Sequence, residues 1–375
     1  MIERVPLTEL FYDNEDPPLK NGVGRLTSRI DYTYSGGIEI GKVTSVYSYN
    51  KYGDVTDEWC VIEGPDFVSD AFHTVYTFNN WGMLESTQYP KSKLIVEYEN
   101  EDRINPDGFP GSYVTQISMR EYTNSSIPRN VAQSVFYSFT GNIEQIQYDN
   151  GAIFALVPDK RNRYKYIGAM TGTGAFLYFD QYNYNQVNQI TEINNIRNLA
   201  LSAKKYSYYS DGSLKSVKDH NEQELVSYTY DSRGNMTARQ IPDASPDTLV
   251  YSGLQFNEKN QLQSDINGGY FTYDDNGNVS YNPITECSYH FDNNNRLINV
   301  SGPVSRQYIY DGSNNRRLQI TDDEYQISFY DRTGNNLIEK IKYERNDEGQ
   351  YNLVKNECFI NLGRNNLAQI DFFEP

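Results

Sequence analysis

Two short segments place a serine close to a lysine, the pairing that activates the nucleophile of penicillin-binding enzymes. Residues 202–205 read Ser-Ala-Lys-Lys, and residues 210–212 read Ser-Asp-Gly. In those enzymes an S-x-x-K box, an S-D-N box and a K-T-G strand converge from separate elements. Here the two boxes are only five residues apart and the chain contains no K-T-G. The second box also falls in the turn position of a repeat, so both segments favour a turn over a catalytic centre.

Turns rich in Asp and Asn supply oxygen ligands of the kind that Ca²⁺ prefers. Residues 274–278 and 292–295 are the clearest cases. An EF-hand loop needs ligands at alternate positions, Gly at the sixth and Glu at the twelfth, and neither turn matches. Ordinary turn chemistry explains each residue, with a surface calcium site as the alternative. No pair among the 50 carboxylates stands out as a glycosidase pair. We therefore predict no catalytic residue, no metal ligand and no cofactor.

The cysteines and histidines do not form a recognisable site either. Cys60, Cys287 and Cys358 are odd in number and widely spaced, so they predict neither a disulfide framework nor a paired metal motif. We interpret them as small buried apolar residues rather than nucleophiles. The three histidines are scattered along the chain and do not suggest zinc. Gly172-Thr173-Gly174 lacks the third glycine of a dinucleotide-binding loop.

Composition favours an all-β protein and excludes several partners. The 375 residues include 34 Tyr and 40 Asn but only 11 Ala, which favours strands and turns over helices. A net charge of −17 disfavours binding to nucleic acid or to an anionic membrane surface. No segment is apolar and long enough for a signal peptide or a membrane span. We expect a protein that is cytoplasmic when made and is exported or surface-displayed through machinery encoded elsewhere.

One phrase, aromatic-x-aromatic-Asp-x-x-Gly-Asn, returns along the chain at steps of about twenty residues. Two strands of about six residues plus two short turns need that length, so each copy predicts one β-hairpin. The aromatic pair lies on one face of a strand, the Asp starts a turn, and the glycine supplies the positive φ that a tight turn needs. The predicted structural anchors of the repeat are Tyr230, Asp231, Gly234, Tyr273, Asp274, Gly277, Phe291, Asp292, Tyr310, Asp311, Tyr330, Asp331 and Gly334.

Where the phrase lacks glycine, asparagine is the substitute. Asn294 and Asn315 are predicted to take the positive-φ position in their turns, at a higher conformational energy than glycine. The repeat as a whole predicts an all-β fold of antiparallel hairpins joined into a strip. Such a strip has two open edges, which predicts edge-to-edge association or closure of the strip on itself.

The pattern varies along the chain without a break in composition. Residues 1–181 are predicted to be a degenerate repeat region with an insertion loop near 99–135. Residues 182–375 are predicted to be the regular region, and the two together one continuous domain. The stretch from Ile190 to Ala203 has apolar residues at helical spacing but also fits a strand, so both interpretations stay open.

The repeated phrase resembles the YD (RHS) repeat of bacterial Rhs polymorphic toxins, insecticidal toxin-complex cocoons and animal teneurins. The resemblance is specific over 182–338, and residues 359–370, reading FINLGRNNLAQI, are similar to the step that precedes the conserved RHS core. It implies an all-β wall of antiparallel hairpins that forms a curved strip or part of a hollow shell, which in the bacterial members encloses a C-terminal toxin. The core motif that follows in the family is not found before Pro375. The resemblance therefore implies part of a shell wall, without self-cleavage or any catalytic residue.

Two functions remain after the resemblance is considered. The first is a non-enzymatic shell segment whose partner is a toxin or effector polypeptide encoded downstream or by another gene, with the acidic surface favouring a basic cargo. The second is an adhesion or carbohydrate-binding module that presents tyrosines to cell-surface glycans. Tyrosines that recur in every repeat favour a structural role, because cross-strand aromatic pairs stabilise hairpins by about 0.2–1 kcal/mol each.

Overall fold

Strands and tight turns make up the architecture of this chain. The structure is a computed structural model that describes residues 7–65, 67–104, 110–121, 128–138, 140–196, 203–242, 253–264 and 269–372. The described residues contain no helix, and hence none with the length and apolarity to cross a membrane. The predicted all-β class is therefore confirmed. The chain forms two units: unit 1 comprises Met1–Ala132 and Cys287–Pro375, and unit 2 comprises Gln133–Glu286.

Thirty-one strands follow one another along the described residues. The first ten are β1 (Thr8–Tyr12), β2 (Leu26–Ser35), β3 (Ile38–Tyr49), β4 (Val55–Gly64), β5 (Phe67–Val68), β6 (Phe72–Phe78), β7 (Leu84–Gln88), β8 (Leu94–Ile104), β9 (Pro110–Glu121) and β10 (Arg129–Tyr137). The next thirteen are β11 (Ile143–Tyr148), β12 (Ile153–Pro158), β13 (Tyr164–Met170), β14 (Phe176–Tyr184), β15 (Ile190–Asn195), β16 (Lys204–Tyr208), β17 (Leu214–Lys218), β18 (Glu224–Tyr230), β19 (Met236–Gln240), β20 (Gln255–Phe256), β21 (Leu262–Ser264), β22 (Thr272–Tyr273) and β23 (Val279–Asn282). The last eight are β24 (Cys287–Phe291), β25 (Leu297–Ser301), β26 (Arg306–Tyr310), β27 (Arg316–Ile320), β28 (Glu324–Tyr330), β29 (Leu337–Arg345), β30 (Tyr351–Leu362) and β31 (Asn365–Phe372).

Most strands pair antiparallel with the strand that follows them, so the sheets are built largely as successive hairpins. In unit 1, β2 pairs with β3 and β3 with β4, and the same up-and-down order runs from β24 to β31. In unit 2, strands β11 to β19 form an equivalent series. Most hairpins carry a one-residue register shift next to the turn, which marks a β-bulge there.

Unit 1 contains two sheets that pack face to face. Strands β2–β4 and β6–β8 form the N-terminal sheet, and β24–β31 form the C-terminal sheet. Between them lies an apolar core whose fully buried side chains include Val43, Ile62, Ile309, Leu318, Ile327, Ile341 and Ile360. Phe72 meets Phe329 across the two sheets with ring centroids 4.7 Å apart. Period-2 alternation of aliphatic residues with polar ones along each strand produces this arrangement.

Close approach of the two sheets depends on a glycine in β3. A Cβ at Gly41 would lie 2.5 Å from the Glu63 carbonyl oxygen and 2.6 Å from Cδ1 of Ile309. Both distances are shorter than real contacts allow, so only glycine fits between β4 and β26 at this point. Around Gly41 the two sheets of unit 1 therefore leave no space between them.

Unit 2 buries far less of its surface. Most residues of β11–β19 are half-buried on both faces, and only a few, such as Ile146 and Val217, are fully buried. Large apolar side chains remain accessible, among them Leu177 at 53 % exposure. Within this unit, the described strands thus form a thin layer rather than a packed sandwich.

Three expectations about local structure need revision or completion. The predicted insertion loop near 99–135 is largely strand where it is described, because β8 and β9 pair from Leu94↔Glu121 to Ile104↔Pro110. Pro110 is tolerated since it begins its strand. The open interpretation of 190–203 resolves as strand β15 for its first six residues, and 197–202 lie outside the described residues. The division of the chain at residue 181 stays a prediction, since the two units observed divide it differently.

Candidate functional site

The turn of each repeat is held by the aspartate that the sequence predicts as its anchor. In the hairpin of β18 and β19, the Gly234 amide donates to the Asp231 carbonyl at 3.1 Å, and the Asp231 amide donates to the Asn235 carbonyl at 2.9 Å. Gly234 has φ +85°, which completes a three-residue hairpin loop with a glycine bulge. Asp231 Oδ1 accepts the amides of Arg233 and Asn235, and Oδ2 accepts Nδ2 of Asn235. These hydrogen bonds, first that from the Asn235 side chain, lower the pKa of Asp231.

The other anchor aspartates repeat this geometry. In each of these turns, Oδ1 of the aspartate accepts the backbone amides of the residues two and four positions further on; the aspartates are Asp274, Asp292, Asp311 and Asp331. The Asp331 turn is one residue longer and closes on the Asn336 carbonyl. Gly277 and Gly334 have the predicted positive φ, but the prediction for asparagine is wrong by one position in two turns. Asn295 and Asn314 take it, with φ +58° and +66°, instead of Asn294 and Asn315. The bulge requires the positive-φ residue to be the third residue after the aspartate.

The anchor tyrosines connect each hairpin to the one before it. The Tyr230 hydroxyl donates to the Leu214 carbonyl at 3.0 Å, and Leu214 is the first residue of β17. In every further case the acceptor is again the first residue of the preceding return strand: Tyr184 to Tyr164, Tyr208 to Ile190, Tyr273 to Leu262, Tyr310 to Leu297 and Tyr330 to Arg316. Phe291 occupies the same position without a hydroxyl. The anchors therefore lie in two places, with those from Tyr230 to Gly277 in unit 2 and those from Phe291 to Gly334 in unit 1.

Replacing Gly234 by alanine is expected to lower the free energy of unfolding by about 1–2 kcal/mol. The added Cβ meets nothing within 4 Å, so the whole effect comes from forcing an L-residue to φ +85°. Urea denaturation of the full chain measures it. Ser232→Ala, an exposed change in the same turn, is the matched control and should stay within about 0.5 kcal/mol of the parent. Equal stability of the two variants would contradict the role assigned to Gly234.

The residues that could support catalysis are placed for structure. Ser202 lies outside the described residues, and Asp211 accepts the Ser213 amide at 2.9 Å within its own turn. The described residues contain no group of three His, Cys, Asp or Glu side chains suited to a metal ion. Burial raises the pKa of the Cys60 thiol to about 12 and that of Cys358 further still. Both shifts oppose formation of the reactive thiolate, as expected for buried structural cysteines.

A fully buried carboxylate, Glu339, joins the two sheets of unit 1. Its oxygens accept the backbone amides of Lys91 at 2.9 Å and Ser92 at 2.7 Å, in the turn between β7 and β8. Nδ2 of Asn356 donates to it at 2.7 Å, and the Cys358 thiol lies 3.7 Å away. The sequence analysis missed Glu339. The available signal was its position two residues before Ile341, on the buried face of β29.

A second buried cluster, absent from the sequence analysis, surrounds Arg317. Its Nε donates to Asp311 Oδ2 at 2.7 Å, and its terminal nitrogen lies 3.8 Å from Glu58 Oε1 on the opposite sheet. The side chains of Arg317 and Asp311 are each 8 % exposed and that of Glu58 is 12 % exposed. Burial raises the pKa of Glu58, and the guanidinium of Arg317 opposes that rise. Asp311 thus caps its own turn and also anchors an inter-sheet charge network.

Tyr76 in β6 is 1 % exposed, and its hydroxyl has no hydrogen-bond partner among the described residues. An unsatisfied buried hydroxyl costs about 1–3 kcal/mol, so Tyr76→Phe is expected to raise the free energy of unfolding by about 1 kcal/mol. Tyr89→Phe is the matched comparison. Tyr89 is equally buried, but its hydroxyl donates to the Phe359 carbonyl at 2.6 Å, so its removal should destabilise by about 1 kcal/mol. Chemical denaturation of both variants checks the opposite signs.

A pocket of about 580 Å³ opens in unit 1 beside these tyrosines. Its wall combines the buried rings of Tyr76 and Tyr89 and the half-buried ring of Tyr98 with aliphatic side chains such as Leu84 and Ile338. Polar residues come from the Asp331 turn and from the turn between β30 and β31, which contributes Arg364. The volume lies in the range of small-molecule sites.

Comparison with known proteins places the chain among shell-forming proteins. The model of the teneurin YD-shell family matches residues 158–346, just over half of the chain. The structure is similar to the Tc holotoxin pore of Photorhabdus luminescens, with a TM-score of 0.73 and 16 % identity, covering 99 % of this chain and 19 % of that one. It is likewise similar to the TcdB2–TccC3 complex, with a TM-score of 0.73 and 14 % identity, covering 98 % of this chain and 20 % of that one.

A third similar structure is the TcdB2–TccC3–Cdc42 complex, with a TM-score of 0.70, 13 % identity, and coverage of 98 % of this chain and 21 % of that chain. The chain thus spans about a fifth of the length of these solved structures. No curated protein sequence matches it. At such identities the likeness establishes the fold, and the hairpin series described above is the part that is shared.

Proposed function

The chain belongs to the teneurin YD-shell family, and from this premise we propose that it is a non-enzymatic wall segment that encloses or presents a polypeptide. The polypeptide would be a toxin or effector encoded downstream or by a partner gene. The observation that carries the proposal is the series of tyrosine hydroxyls, each bonded to the first residue of the preceding return strand. Each of these hydrogen bonds joins a hairpin to the one before it, as is expected of a continuous wall.

The packing of unit 1 restricts where such a polypeptide can lie. Its two sheets fill the space between them with buried aliphatic side chains and with the Glu339 and Arg317 clusters. A cargo therefore contacts other surfaces of the chain. The half-buried tyrosine-bearing strands of unit 2 offer apolar area that their own unit leaves accessible, such as Leu177 and Tyr178 at 53 % and 36 % exposure.

The structural neighbours and the charge suggest the nature of the cargo. All three of the neighbours reported above contain TccC3, which supports a toxin polypeptide as the cargo. A net charge of −17 favours a basic cargo by long-range attraction. We further propose that the assembled protein reaches its site of action through export machinery encoded elsewhere.

Protection from a protease tests the proposal directly. The chain is co-expressed with each polypeptide encoded next to it, purified, and treated with proteinase K beside the polypeptide alone. An enclosed polypeptide should co-purify at a fixed stoichiometry and survive at least tenfold longer than when free. Co-purification that disappears at 0.5 M salt, with equal rates of digestion, would reduce the interaction to charge attraction and contradict enclosure.

A second candidate function, glycan binding, is favoured by a separate set of tyrosines. Tyr164, Tyr178, Tyr209 and Tyr270 in unit 2 are between 36 % and 65 % exposed, and none of them is a predicted anchor of the repeat. Exposed aromatic faces suit sugar rings. Glycan-array binding that is lost in Tyr164→Ala and Tyr270→Ala, and kept in Tyr230→Phe, would favour this function over enclosure.

A further inference from the structure

We propose that the 580 Å³ pocket of unit 1 is a binding site for a carboxylate that carries a flat apolar group. The site does not depend on the enclosure of a cargo, because every residue that forms it belongs to unit 1. Its residues come from β6 to β9 with the turn between β6 and β7, and from the ends of β29 and β30 with two turns of the C-terminal sheet. Three features of the pocket support this assignment: its apolar wall, the hydrogen bonds of its lining carboxylate Asp331, and its two lining arginines.

The wall is apolar because its tyrosines have their hydroxyls engaged or buried elsewhere. Tyr89 donates to the Phe359 carbonyl, and burial raises the pKa of Tyr98 to about 12, so its hydroxyl stays neutral. The Tyr76 hydroxyl is inaccessible. What these residues offer the pocket is therefore ring surface, beside Leu84 and Ile338. Such a wall accepts a flat apolar group by stacking and by exclusion of water.

The one lining carboxylate, Asp331, is satisfied within its own turn. Oδ1 accepts the amides of Thr333 and Asn335 and the hydroxyl of Thr333, and Oδ2 accepts Nδ2 of Asn336. These four hydrogen bonds stabilise its charge without a cation. Asp331 therefore does not act as a counter-ion for the two neighbouring arginines, Arg332 and Arg364.

Two arginines line the pocket, and neither forms a salt bridge or hydrogen bond with any described residue. Arg332 lies over the Phe78 ring at 5.2 Å, which leaves its edge donors open to a ligand, and Arg364 is exposed in the turn between β30 and β31. Elsewhere in unit 1 the guanidinium groups of Arg29, Arg120, Arg296 and Arg317 are paired with carboxylates. Two unpaired cations above an apolar wall, in a chain of net charge −17, select an anion with an apolar body.

Calorimetry with one pair of probes tests the charge and the apolar group separately. N-acetyl-phenylalanine supplies both, and its amide supplies the same body without the charge. We expect the acid to bind the full chain in the millimolar range or tighter and the amide at least tenfold more weakly. Arg332→Gln and Arg364→Gln should each weaken the acid about tenfold, while Arg306→Gln, an exposed arginine of β26 outside the pocket, should leave it unchanged.

The result that overturns the proposal is equal binding of acid and amide, or acid binding that neither Arg332→Gln nor Arg364→Gln alters. Failure of the acid to bind at its solubility limit overturns it as well. Six-residue peptides ending in phenylalanine, with a free or amidated terminus, then identify the source of the carboxylate. A free peptide that binds tenfold tighter than the small acid assigns the site to a polypeptide terminus, and equal affinity assigns it to a small organic acid.

Discussion

Replacing Glu339 by glutamine is expected to lower the free energy of unfolding by about 2–4 kcal/mol, although the two side chains have nearly the same shape. The carboxylate is fully buried and accepts three N–H donors, from Lys91, Ser92 and Asn356. An amide has one accepting oxygen, so its NH₂ group must face at least one of these donors. The donor would lose its partner, and the new NH₂ would be buried without an acceptor.

The size of the effect follows from where the hydrogen bonds lie. Two of the three donors are backbone amides of the turn between β7 and β8. They can reach solvent only if the backbone of that turn moves. Glu339→Ala leaves all of the donors unsatisfied and removes side-chain volume, so it should cost more, about 3–5 kcal/mol. Because Glu339 joins the two sheets of unit 1, the loss should appear as a lower urea midpoint of that unit.

Glu344→Gln in the same strand is the control. Glu344 is exposed and forms a salt bridge with Lys342 near the surface, where such a pair contributes little, so the change should stay below about 0.5 kcal/mol. Amide hydrogen exchange at Lys91 and Ser92 locates the effect: both should exchange faster in Glu339→Gln and at the parental rate in Glu344→Gln. A Glu339→Gln variant as stable as the parent would show that the carboxylate does not hold the turn.

The turns of the repeat could be predicted from the sequence because the residues that form each turn lie close together in the chain. The aspartate, its amide donors and the positive-φ residue lie within five positions, so their roles follow from turn chemistry alone. Placing the positive-φ residue at Asn294 and Asn315 was wrong because it departed from the spacing of the phrase, in which glycine is the third residue after the aspartate. The bulge fixes it three residues after the aspartate, at Asn295 and Asn314.

The clusters between the sheets could not be predicted from the sequence in the same way. Glu58 and Arg317 are separated by more than 250 residues and meet because β4 and β27 face each other in unit 1. The sequence shows that both lie in strands but not which strands are opposed. Prolines near 106–110 suggested a loop, whereas the long pairing of β8 with β9 depends on the register of two strands. Information of this kind is non-local and becomes visible only in the folded chain.

Replacing Arg317 by methionine is expected to destabilise the chain by about 3–5 kcal/mol at neutral pH. Methionine fills much of the volume and keeps contact with the Tyr330 ring, over which the guanidinium lies at 5.4 Å. It leaves Glu58 and Asp311 buried without their common cation. The loss should be larger than for Arg316→Met, the adjacent exposed arginine, which stacks on Tyr308 and has no buried carboxylate to neutralise.

The destabilisation by Arg317→Met is expected to depend on pH, in a direction set by the pKa of Glu58. Burial raises the folded-state pKa of Glu58 above its ordinary value, so the folded protein binds that proton more tightly than the unfolded chain does. Stability from this group is present at low pH and is lost as pH rises through the raised pKa. Arg317 opposes this rise, so its replacement raises the pKa of Glu58 further. The pH range in which protonation of Glu58 favours the folded state then becomes wider. The penalty of Arg317→Met should therefore be smaller near pH 4 than near pH 7.

A double-mutant cycle separates charge from packing. Glu58→Gln removes the carboxylate that Arg317→Met leaves unpaired, so the double variant should be more stable than the sum of the single losses predicts, by about 1–3 kcal/mol. The coupling should shrink near pH 4, where Glu58 is protonated in the single variant. Additive losses at both pH values would mean that the 3.8 Å contact contributes only packing. A coupling that disappears on acidification would instead show that one buried charge pair holds β27 against β4, and that acid loosens this contact first.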